Sequence, residues 1–480
     1  MTNRNSNANH HFFRPVVTAC LLAGLLVCGA SAANAEKETP SPARNPRQPN
    51  IVFILADDLG YGDLGCYGQT KIKTPNLDRM ASESIRFTQC YAGCTVCAPS
   101  RSALMTGQHT GHTRIRGNAR HPLEPQDITV AEVLKAAGYR TALIGKWGLG
   151  EQGSTGAPNV QGFDEFFGYL NQRHAHNYYP TYLWRNDQKV SLRNVVPNED
   201  IEGSGVATGK VDYSADLFSQ EALGFIERNK DHRFFLYWAS TTPHANNEAK
   251  AKGMEVPTDE PYTGENWPGP EKSKAAMITR LDADIGRFFQ KLKELKIDRE
   301  TIVFFTSDNG PHKEGGNDPN FTQSSGPLRG IKRDLYEGGI RVPMIVRWPG
   351  RVKAGTVSDQ IWAFWDFLPT AADIAGIKPM GKIDGISMLP VLLGKKQQDH
   401  DFLYWEFHER GPKQAVRTGD WKAVRLGPAQ PLELYNLKTD LAEAKNIAEQ
   451  HPETIARIEA YLKTARTESE HWPMKSSPPQ

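Results

Sequence analysis

Cysteine is scarce in this sequence: the chain has six cysteines in 480 residues, and two of them, Cys20 and Cys28, lie within the first 35 residues. So few cysteines exclude a small disulfide-rich scaffold. An excess of charge of one sign is also missing, because 57 lysine and arginine residues stand against 55 aspartate and glutamate residues. That balance excludes a protein that binds nucleic acid through a broad basic surface. No apolar run after residue 50 is long enough to cross a bilayer, so no membrane segment is expected once the N-terminus is removed.

The first 35 residues have the composition of an export signal. Arg4 and Arg14 precede an uncharged apolar stretch that ends in an A-x-A motif at Ala35. The glycine, alanine, serine and threonine content of this stretch disfavours an uncleaved anchor, and a lipoprotein signal at Cys20 is disfavoured because almost no apolar segment precedes it. We therefore expect a signal peptide over residues 1–35, cleavage after Ala35, and a periplasmic or secreted protein.

The rest of the sequence alternates between helical and strand patterns. Residues 36–49 are rich in proline and polar residues and predict a flexible leader. Over residues 50–378, short apolar runs typical of strands buried on both faces alternate with amphipathic segments. This alternation predicts an α/β domain in which helices cover both sides of a large, mostly parallel sheet. The predicted strands are 51–55, 141–144, 234–239, 302–306 and 342–346.

A stretch punctuated by proline and glycine follows Gly376 and indicates a boundary. We assign residues 50–378 to the large domain and residues 379–480 to a C-terminal subdomain. The subdomain has four short strand patterns and a helical pattern near its end, which predict a small α+β unit with a short antiparallel sheet. The four strand patterns are 402–407, 414–418, 421–426 and 433–436.

Polar side chains follow four of the predicted strands. In an open α/β sheet, ligands bind beyond the carboxyl ends of the strands. Taken singly, each residue has a structural explanation as a turn, a helix cap, a solvated charge or a packed histidine. The convergence of four strand ends with both carboxylates and cations nevertheless favours a functional site. The residues are Asp57, Asp58, Lys146, His244, Asp308 and Asn309.

The segment that begins at Cys97 reads C-A-P-S-R-S-A-L-M-T-G. Pro99 and Arg101 suit the first turn of a helix, so Cys97 is predicted at a helix N-terminus, where unpaired N–H groups favour anions. A nucleophile there would face an oxyanion-binding site. Two alternatives stay open from the residues alone: a buried cysteine before a helix, and an unmodified cysteine nucleophile activated by His244.

The spacing of Cys90, Cys94 and Cys97 is C-x3-C-x2-C, which can hold an iron–sulfur cluster. Such clusters suit reducing compartments. The export signal therefore disfavours this interpretation.

The string from Cys97 resembles the signature of the formylglycine-dependent (type I) sulfatases, C-x-P-S-R followed at a fixed distance by T-G. Further motifs follow in the order found in that family: A-D-D-L-G at 56–60, G-K-W at 145–147, T-P-H at 242–244, S-D-N-G at 307–310 and L-R-G-I-K at 328–332. The resemblance covers roughly residues 50–480. It implies an arylsulfatase-like enzyme with an alkaline phosphatase-like fold.

At Cys97 the resemblance implies a covalent change. A formylglycine-generating maturation enzyme would oxidise this cysteine to formylglycine (3-oxoalanine), whose hydrated aldehyde supplies the attacking hydroxyl. The resemblance also implies one divalent cation held by Asp57, Asp58, Asp308 and Asn309 together with residue 97. Oxygen ligands of this kind select a hard cation, and several carboxylates favour Ca²⁺, with Mg²⁺ as the alternative.

The same resemblance gives roles to four further side chains. Arg101 would orient the hydrated aldehyde, and Lys146 and Lys332 would bind the sulfate oxygens. His244 would protonate the leaving alcohol. The family often reads G-K-W-H-L-G, whereas Gly148 stands here in the place of the histidine. The base for the final release of sulfate is therefore left unassigned.

The expected substrate is a sulfate ester, either a sulfated sugar or an aryl sulfate. Aromatic residues between 178 and 184 would suit a sugar, because aromatic faces pack on pyranose rings. His174 and His176 lie just before them, and we expect substrate recognition there, with His176 as the contact. Two alternatives are that both are solvated loop residues or that one is the missing base. The rival functions are a phosphodiesterase or phosphonate ester hydrolase with a similar site, and a non-catalytic binder of sulfated glycans.

Overall fold

A computed structural model describes residues 48–475. The predicted signal peptide, residues 1–35, and the leader up to residue 47 lie outside the described residues. Among those that are described, no helix is both long and apolar enough to cross a membrane.

Fifteen strands form two sheets in the described part of the chain. They are β1 (Asn50–Ala56), β2 (Ile85–Tyr91), β3 (Arg140–Lys146), β4 (Glu165–Tyr169), β5 (Tyr182–Arg185), β6 (Gln188–Ser191), β7 (Phe234–Ala239), β8 (Thr301–Ser307), β9 (Arg341–Arg347), β10 (Thr356–Ser358), β11 (Trp362–Ala363), β12 (Leu403–Phe407), β13 (Lys413–Thr418), β14 (Trp421–Arg425) and β15 (Glu433–Asn436).

The helices over residues 48–475 vary from one turn to seven. They are α1 (Pro75–Ser82), α2 (Cys97–Thr106), α3 (Val130–Ala136), α4 (Ser214–Arg228), α5 (Gly269–Glu294), α6 (Glu337–Ile340), α7 (Phe367–Ile374), α8 (Leu389–Leu392) and α9 (Pro452–Leu462). Local signals set several ends: Thr129 and Glu132 form a capping box at the start of α3, and Pro75 occupies the first turn of α1.

The large sheet has the order β10-β2-β9-β8-β1-β7-β3-β4-β5-β6, with β11 paired to β2. The five central strands, from β8 to β4, are mutually parallel, whereas β9 and β2 on one side and β5 and β6 on the other pair antiparallel. This arrangement confirms the predicted α/β class with a large, mostly parallel sheet.

The central strand β1 is buried along its whole length because helices cover both faces of the sheet. Ile51, Phe53 and Leu55 point into a core with residues of α2, α3 and α7. Val52 and Ile54 point into the opposite core with residues of α1, α4 and α5. Successive side chains of a strand alternate between faces, so a continuous apolar run is what two covered faces require.

The second sheet, β12-β13-β14-β15, is antiparallel throughout. One of its faces packs on α9 through residues that include Val416 and Ile458. The other packs against the large sheet, with Trp405 among the residues that contact Tyr91. This confirms the small C-terminal antiparallel sheet. The boundary near residue 378 stays a prediction, because residues 48–475 belong to one compact unit by their contacts.

Candidate active site

The carboxyl ends of four central strands meet in one buried cluster. Asp57 and Asp58 directly follow β1, Lys146 ends β3, and Asp308 directly follows β8. The backbone joins these ends: Asp57 N–H donates to the Thr242 carbonyl beyond β7 at 3.0 Å, and Asp308 N–H donates to the Ala56 carbonyl at 3.0 Å. The polar residues that the sequence placed at separate strand ends are thus neighbours.

Helix α2 delivers Cys97 and Arg101 to the cluster. All ten residues of the helix are buried, and Cys97 is its first residue. The Arg101 guanidinium donates through Nε and Nη2 to Asp308 Oδ2, at 3.0 and 2.8 Å, and through Nη1 to the Lys146 carbonyl at 2.6 Å. One side chain thereby connects α2 to the ends of β8 and β3.

The buried carboxylates are balanced by lysines. Lys146 Nζ donates to Asp57 Oδ2 at 2.7 Å, and Lys332 Nζ donates to Asp58 Oδ2 at 2.7 Å. Cys97 Sγ lies 3.3 Å from Asp57 Oδ1. Although burial acts to raise it, the pKa of Asp57 is held well below its usual range by Lys146 and the neighbouring cations. For Asp308, burial and the charge of Asp57 raise the pKa to about 7.

These residues fit a hard divalent cation. Asn309 donates through Nδ2 to Asp58 Oδ1 at 2.6 Å, while its own Oδ1 is buried and has no hydrogen-bond partner in residues 48–475. Potential ligand atoms of Asp57, Asp58 and Cys97 lie within 4.8 Å of one another, with His244 in the same group. Several carboxylate oxygens beside an orphaned amide oxygen form the donor set that Ca²⁺ or Mg²⁺ prefers.

The iron–sulfur interpretation finds no support in the positions of the cysteines. None of the described groups that could hold a metal includes Cys90 or Cys94. Cys90 lies in β2 and its side chain is in the core of the large sheet, whereas Cys94 packs toward the C-terminal sheet and its Sγ lies 3.5 Å from the Glu406 carbonyl. All four cysteines of the described chain are free thiols.

His244 has a fixed orientation beside Lys332. Its Nδ1 lies 2.7 Å from the Ala245 carbonyl, which can only accept, so Nδ1 holds a hydrogen. The other nitrogen, Nε2, lies 3.1 Å from Lys332 Nζ and 3.5 Å from Asp58 Oδ2. Burial and the charge of Lys332 lower the pKa of His244 well below its usual range. Nε2 is therefore the nitrogen available for proton exchange at this site.

A cavity of about 490 Å³ opens beside the cluster, and Cys97, His244 and Lys332 line it. His176 also lines it, with its ring stacked on His244 at a centroid distance of 5.0 Å and its Nδ1 3.2 Å from Glu248. The role expected of His176 stays a prediction.

His174 has a different environment. It is buried between the rings of Tyr169 and Tyr182, at centroid distances of 4.8 and 4.5 Å, and does not line the cavity. Burial lowers the pKa of His174 to about 3, so the ring is neutral. The structure therefore brings His176, but not His174, into the cavity.

Sequence reasoning missed Gln172. Gly148 has φ of +82°, and a Cβ built on it would lie 2.0 Å from Gln172 Nε2. The Gln172 amide thus fills the space that a side chain at position 148 would need. The glycine at position 148, where the family often has a histidine, was the one sign in the sequence that this part of the site differs. It does not reveal which residue fills the space of the missing side chain.

Comparisons with known proteins agree with this geometry. Residues 49–377 match the family described as Sulfatase, and residues 331–470 match N-sulphoglucosamine sulphohydrolase, C-terminal. The chain is 35% identical to the N-acetylgalactosamine-6-sulfatase of Canis lupus familiaris, over 90% of this chain and 81% of that protein. It is 30% identical to the N-acetylgalactosamine-6-O-sulfatase of Bacteroides thetaiotaomicron, over 93% of this chain and 98% of that protein.

Solved structures show the same similarity. The crystal structure of Ps i-CgsB has a TM-score of 0.76 and 27% identity, covering 89% of this chain and 95% of its own. Ps i-CgsB has also been crystallised in complex with k-i-k-neocarrahexaose. These findings confirm both the fold and the family expected from the sequence. The chain belongs to the sulfatase family and is a sulfuric ester hydrolase.

Proposed function

We propose that this sulfatase hydrolyses a sulfate ester on a sugar, with Cys97 converted to formylglycine and one divalent cation in the buried cluster. The observation that carries the proposal is the position of Cys97: it starts α2, lines the cavity and lies 3.3 Å from Asp57. Two relatives named for N-acetylgalactosamine 6-sulfate and a neighbour crystallised with an oligosaccharide support a carbohydrate substrate.

The cation would be held by Asp57, Asp58, Asp308 and Asn309 with residue 97. Ca²⁺ is the proposed ion and Mg²⁺ the alternative. When bound, such an ion supplies positive charge that polarises the sulfate group and offsets the carboxylates. The buried Asn309 Oδ1, without a partner in the described chain, supports this assignment.

If a formylglycine-generating enzyme converts Cys97 to formylglycine, the hydrate of this residue would supply the hydroxyl for attack on sulfur. Arg101 is positioned to hold this end of α2, because its guanidinium is fixed by Asp308 and the Lys146 carbonyl. The dipole of α2 also favours an anion near Cys97, although Ala98 N–H already donates to Asn118 Oδ1 and Pro99 has no N–H.

Lys146 and Lys332 bind the sulfate oxygens. Each ammonium has three N–H donors, and one of them already contacts Asp57 or Asp58. Two donors of Lys146 and one of Lys332 remain to turn toward a sulfate beside Cys97, because Lys332 Nζ also donates to His244 Nε2 at 3.1 Å. His244 would pass the proton to the leaving oxygen through Nε2, since Nδ1 is held by the Ala245 carbonyl. Nε2 carries no hydrogen in the neutral ring, so it would first take that proton from the Lys332 ammonium, 3.1 Å away.

The test is to produce the protein together with a formylglycine-generating enzyme and to measure both the mass at position 97 and the turnover. We expect an aldehyde at position 97, hydrolysis of N-acetylgalactosamine 6-sulfate or another sulfated monosaccharide, and weaker hydrolysis of 4-nitrophenyl sulfate. Faster cleavage of a phosphodiester or phosphonate ester than of every sulfate ester would support the rival hydrolase. Binding of sulfated sugars without any turnover would support a non-catalytic binder.

We also propose that the protein is exported. The basis is the pattern over residues 1–35, with Arg4 and Arg14 before an apolar stretch that ends at Ala35. Cell fractionation followed by N-terminal sequencing should find a mature chain that begins at Glu36 outside the cytoplasm. A full-length chain in the cytoplasm would contradict the proposal.

A further inference from the structure

Four amide side chains line the catalytic cavity. They differ in whether their polar atoms already form hydrogen bonds with the rest of the protein. Asn118 Oδ1 accepts a hydrogen bond from Ala98 N–H at 3.0 Å, and Asn171 Oδ1 accepts one from His174 N–H at 2.8 Å. These two amides hold the backbone around the cavity.

The other two amides, Gln172 and Asn247, have polar atoms without protein partners. Gln172 Nε2, Gln172 Oε1 and Asn247 Oδ1 are buried and accept or donate no hydrogen bond within the described chain. A buried polar atom without a partner costs about 1–3 kcal/mol, so such atoms in a cavity indicate contact with a ligand or with water. For Gln172 the conclusion does not depend on which way the amide is turned, because both of its polar atoms are free.

Both residues are placed by fixed backbone. Gln172 comes just after β4, where Trp147 N–H donates to the Tyr169 carbonyl and Gly148 N–H donates to the Leu170 carbonyl, each at 2.9 Å. This pairing places the Gln172 amide over Gly148, at the end of the strand that carries Lys146.

Asn247 begins a 3₁₀ turn, Asn247–Lys252, three residues after His244. The preceding Asn246 is buried, caps this turn, and donates to Glu255 Oε2 at 2.9 Å. Gln172 and Asn247 therefore line the cavity from the segments after β4 and β7.

The chemistry of the free atoms selects the ligand. A sulfate oxygen can only accept, so it would use Gln172 Nε2 and be repelled by the two carbonyl-type oxygens. A hydroxyl both donates and accepts, so it matches a free amide donor beside free amide acceptors. We infer that Gln172 and Asn247 form a subsite for hydroxyl groups of the sugar that bears the sulfate ester. This inference rests on the proposed function and assigns the part of the substrate beyond the sulfate.

The experiment compares two substrates in three variants. Gln172→Met and Asn247→Leu keep the approximate size of the side chain and remove its polar atoms, and Gln290→Met, on the exposed face of α5, is the matched control. The substrates are N-acetylgalactosamine 6-sulfate and 4-nitrophenyl sulfate, which has no sugar hydroxyl. We expect each cavity variant to lower the ratio of kcat/KM for the sugar to kcat/KM for the aryl ester by about ten- to a hundredfold. The control should leave both values unchanged.

An unchanged ratio in both cavity variants would overturn the inference, whether the two activities stay the same or fall together. A deoxy sugar sulfate provides a second check: the Gln172→Met variant should no longer distinguish it from the parent sugar. If the parent enzyme hydrolyses neither of these esters nor any other sulfated monosaccharide, the proposed function fails, and the subsite is then judged by calorimetric binding of the sulfated sugar. Binding that Gln172→Met weakens would support the subsite, and binding that is absent or unaffected would refute it.

Discussion

The C-terminal sheet is held in place by a buried carboxylate whose contribution can be measured. Glu406 lies in β12 and is fully buried. Its Oε1 accepts from Arg116 Nη1 at 3.0 Å, and its Oε2 accepts from Arg466 Nε and Tyr404 Oη, both at 2.8 Å. Burial acts to raise the pKa of Glu406, but His408 and the two arginines bring it down to about 2.

The Glu406→Gln variant removes this charge and keeps the shape of the side chain. A glutamate has an ordinary pKa of 4.5, and the fall to about 2 in the folded protein corresponds to about 3 kcal/mol of stability. Because the pKa is lowered in the folded state, this stability is fully present above pH 4.5 and is lost as the pH falls from 4.5 toward 2. The parent should therefore exceed the variant in free energy of unfolding by about 3 kcal/mol at pH 6 and by about 1.5 kcal/mol at pH 3.

Urea unfolding followed by tryptophan fluorescence at the two pH values gives both differences. Glu459→Gln is the matched control, since Glu459 forms an ion pair with Arg425 on the surface and 41% of its side chain is exposed. We expect the control to cost less than about 1 kcal/mol. A difference below about 1 kcal/mol for Glu406→Gln at pH 6, or the same difference at both pH values, would refute the reasoning.

Four further predictions concern the catalytic cavity. Cys97→Ala should abolish turnover with little change in melting temperature; active parent protein whose peptide mass shows only a thiol at position 97 would contradict the mechanism. Chelation should remove activity, and Ca²⁺ should restore it at least as well as Zn²⁺; stoichiometric zinc in active enzyme as isolated would argue against the oxygen-ligand site. Lys332→Met should lower kcat by about 100- to 1,000-fold, while Lys293→Met on the exposed face of α5 changes nothing; equal kinetics in the two variants would count against a sulfate-binding Lys332. His176→Ala should lower kcat/KM, whereas His174→Ala should mainly lower the melting temperature; the reverse pattern would exchange their assignments.

The strands that form the catalytic edge could be predicted because their signals are local. The apolar runs at 51–55, 141–144, 234–239, 302–306 and 342–346 became β1, β3, β7, β8 and β9, with ends no more than two residues away. A buried parallel strand needs a continuous apolar run, and the polar residue that ends the run marks the catalytic edge. The antiparallel pairing of β9 with β8 was not visible, because direction depends on the path of the connecting chain.

The walls of the cavity were less predictable, because they depend on orientation rather than on residue type. His174 and His176 are two residues apart in a 3₁₀ turn, His174–His176, with about three residues per turn. Their side chains point in directions roughly 120° apart around the axis, so one enters the core and the other the cavity. Gln172 was overlooked for a similar reason: its position over Gly148 follows from the pairing of β3 with β4.

The balance of buried charge explains why this cluster of residues alone is a poor anion site. When Asp308 is ionised, three buried carboxylates face three buried cations: Asp57, Asp58 and Asp308 against Arg101, Lys146 and Lys332. A sulfate charge about 4 Å from any one carboxylate would be repelled by roughly 4 kcal/mol at an effective dielectric of 20. Both lysine ammonium groups already contact carboxylates, so their charge is largely compensated. A divalent cation among these oxygens would change the net charge of the cluster from zero to plus two. Removal of the cation should therefore weaken the binding of sulfate itself as well as lower turnover.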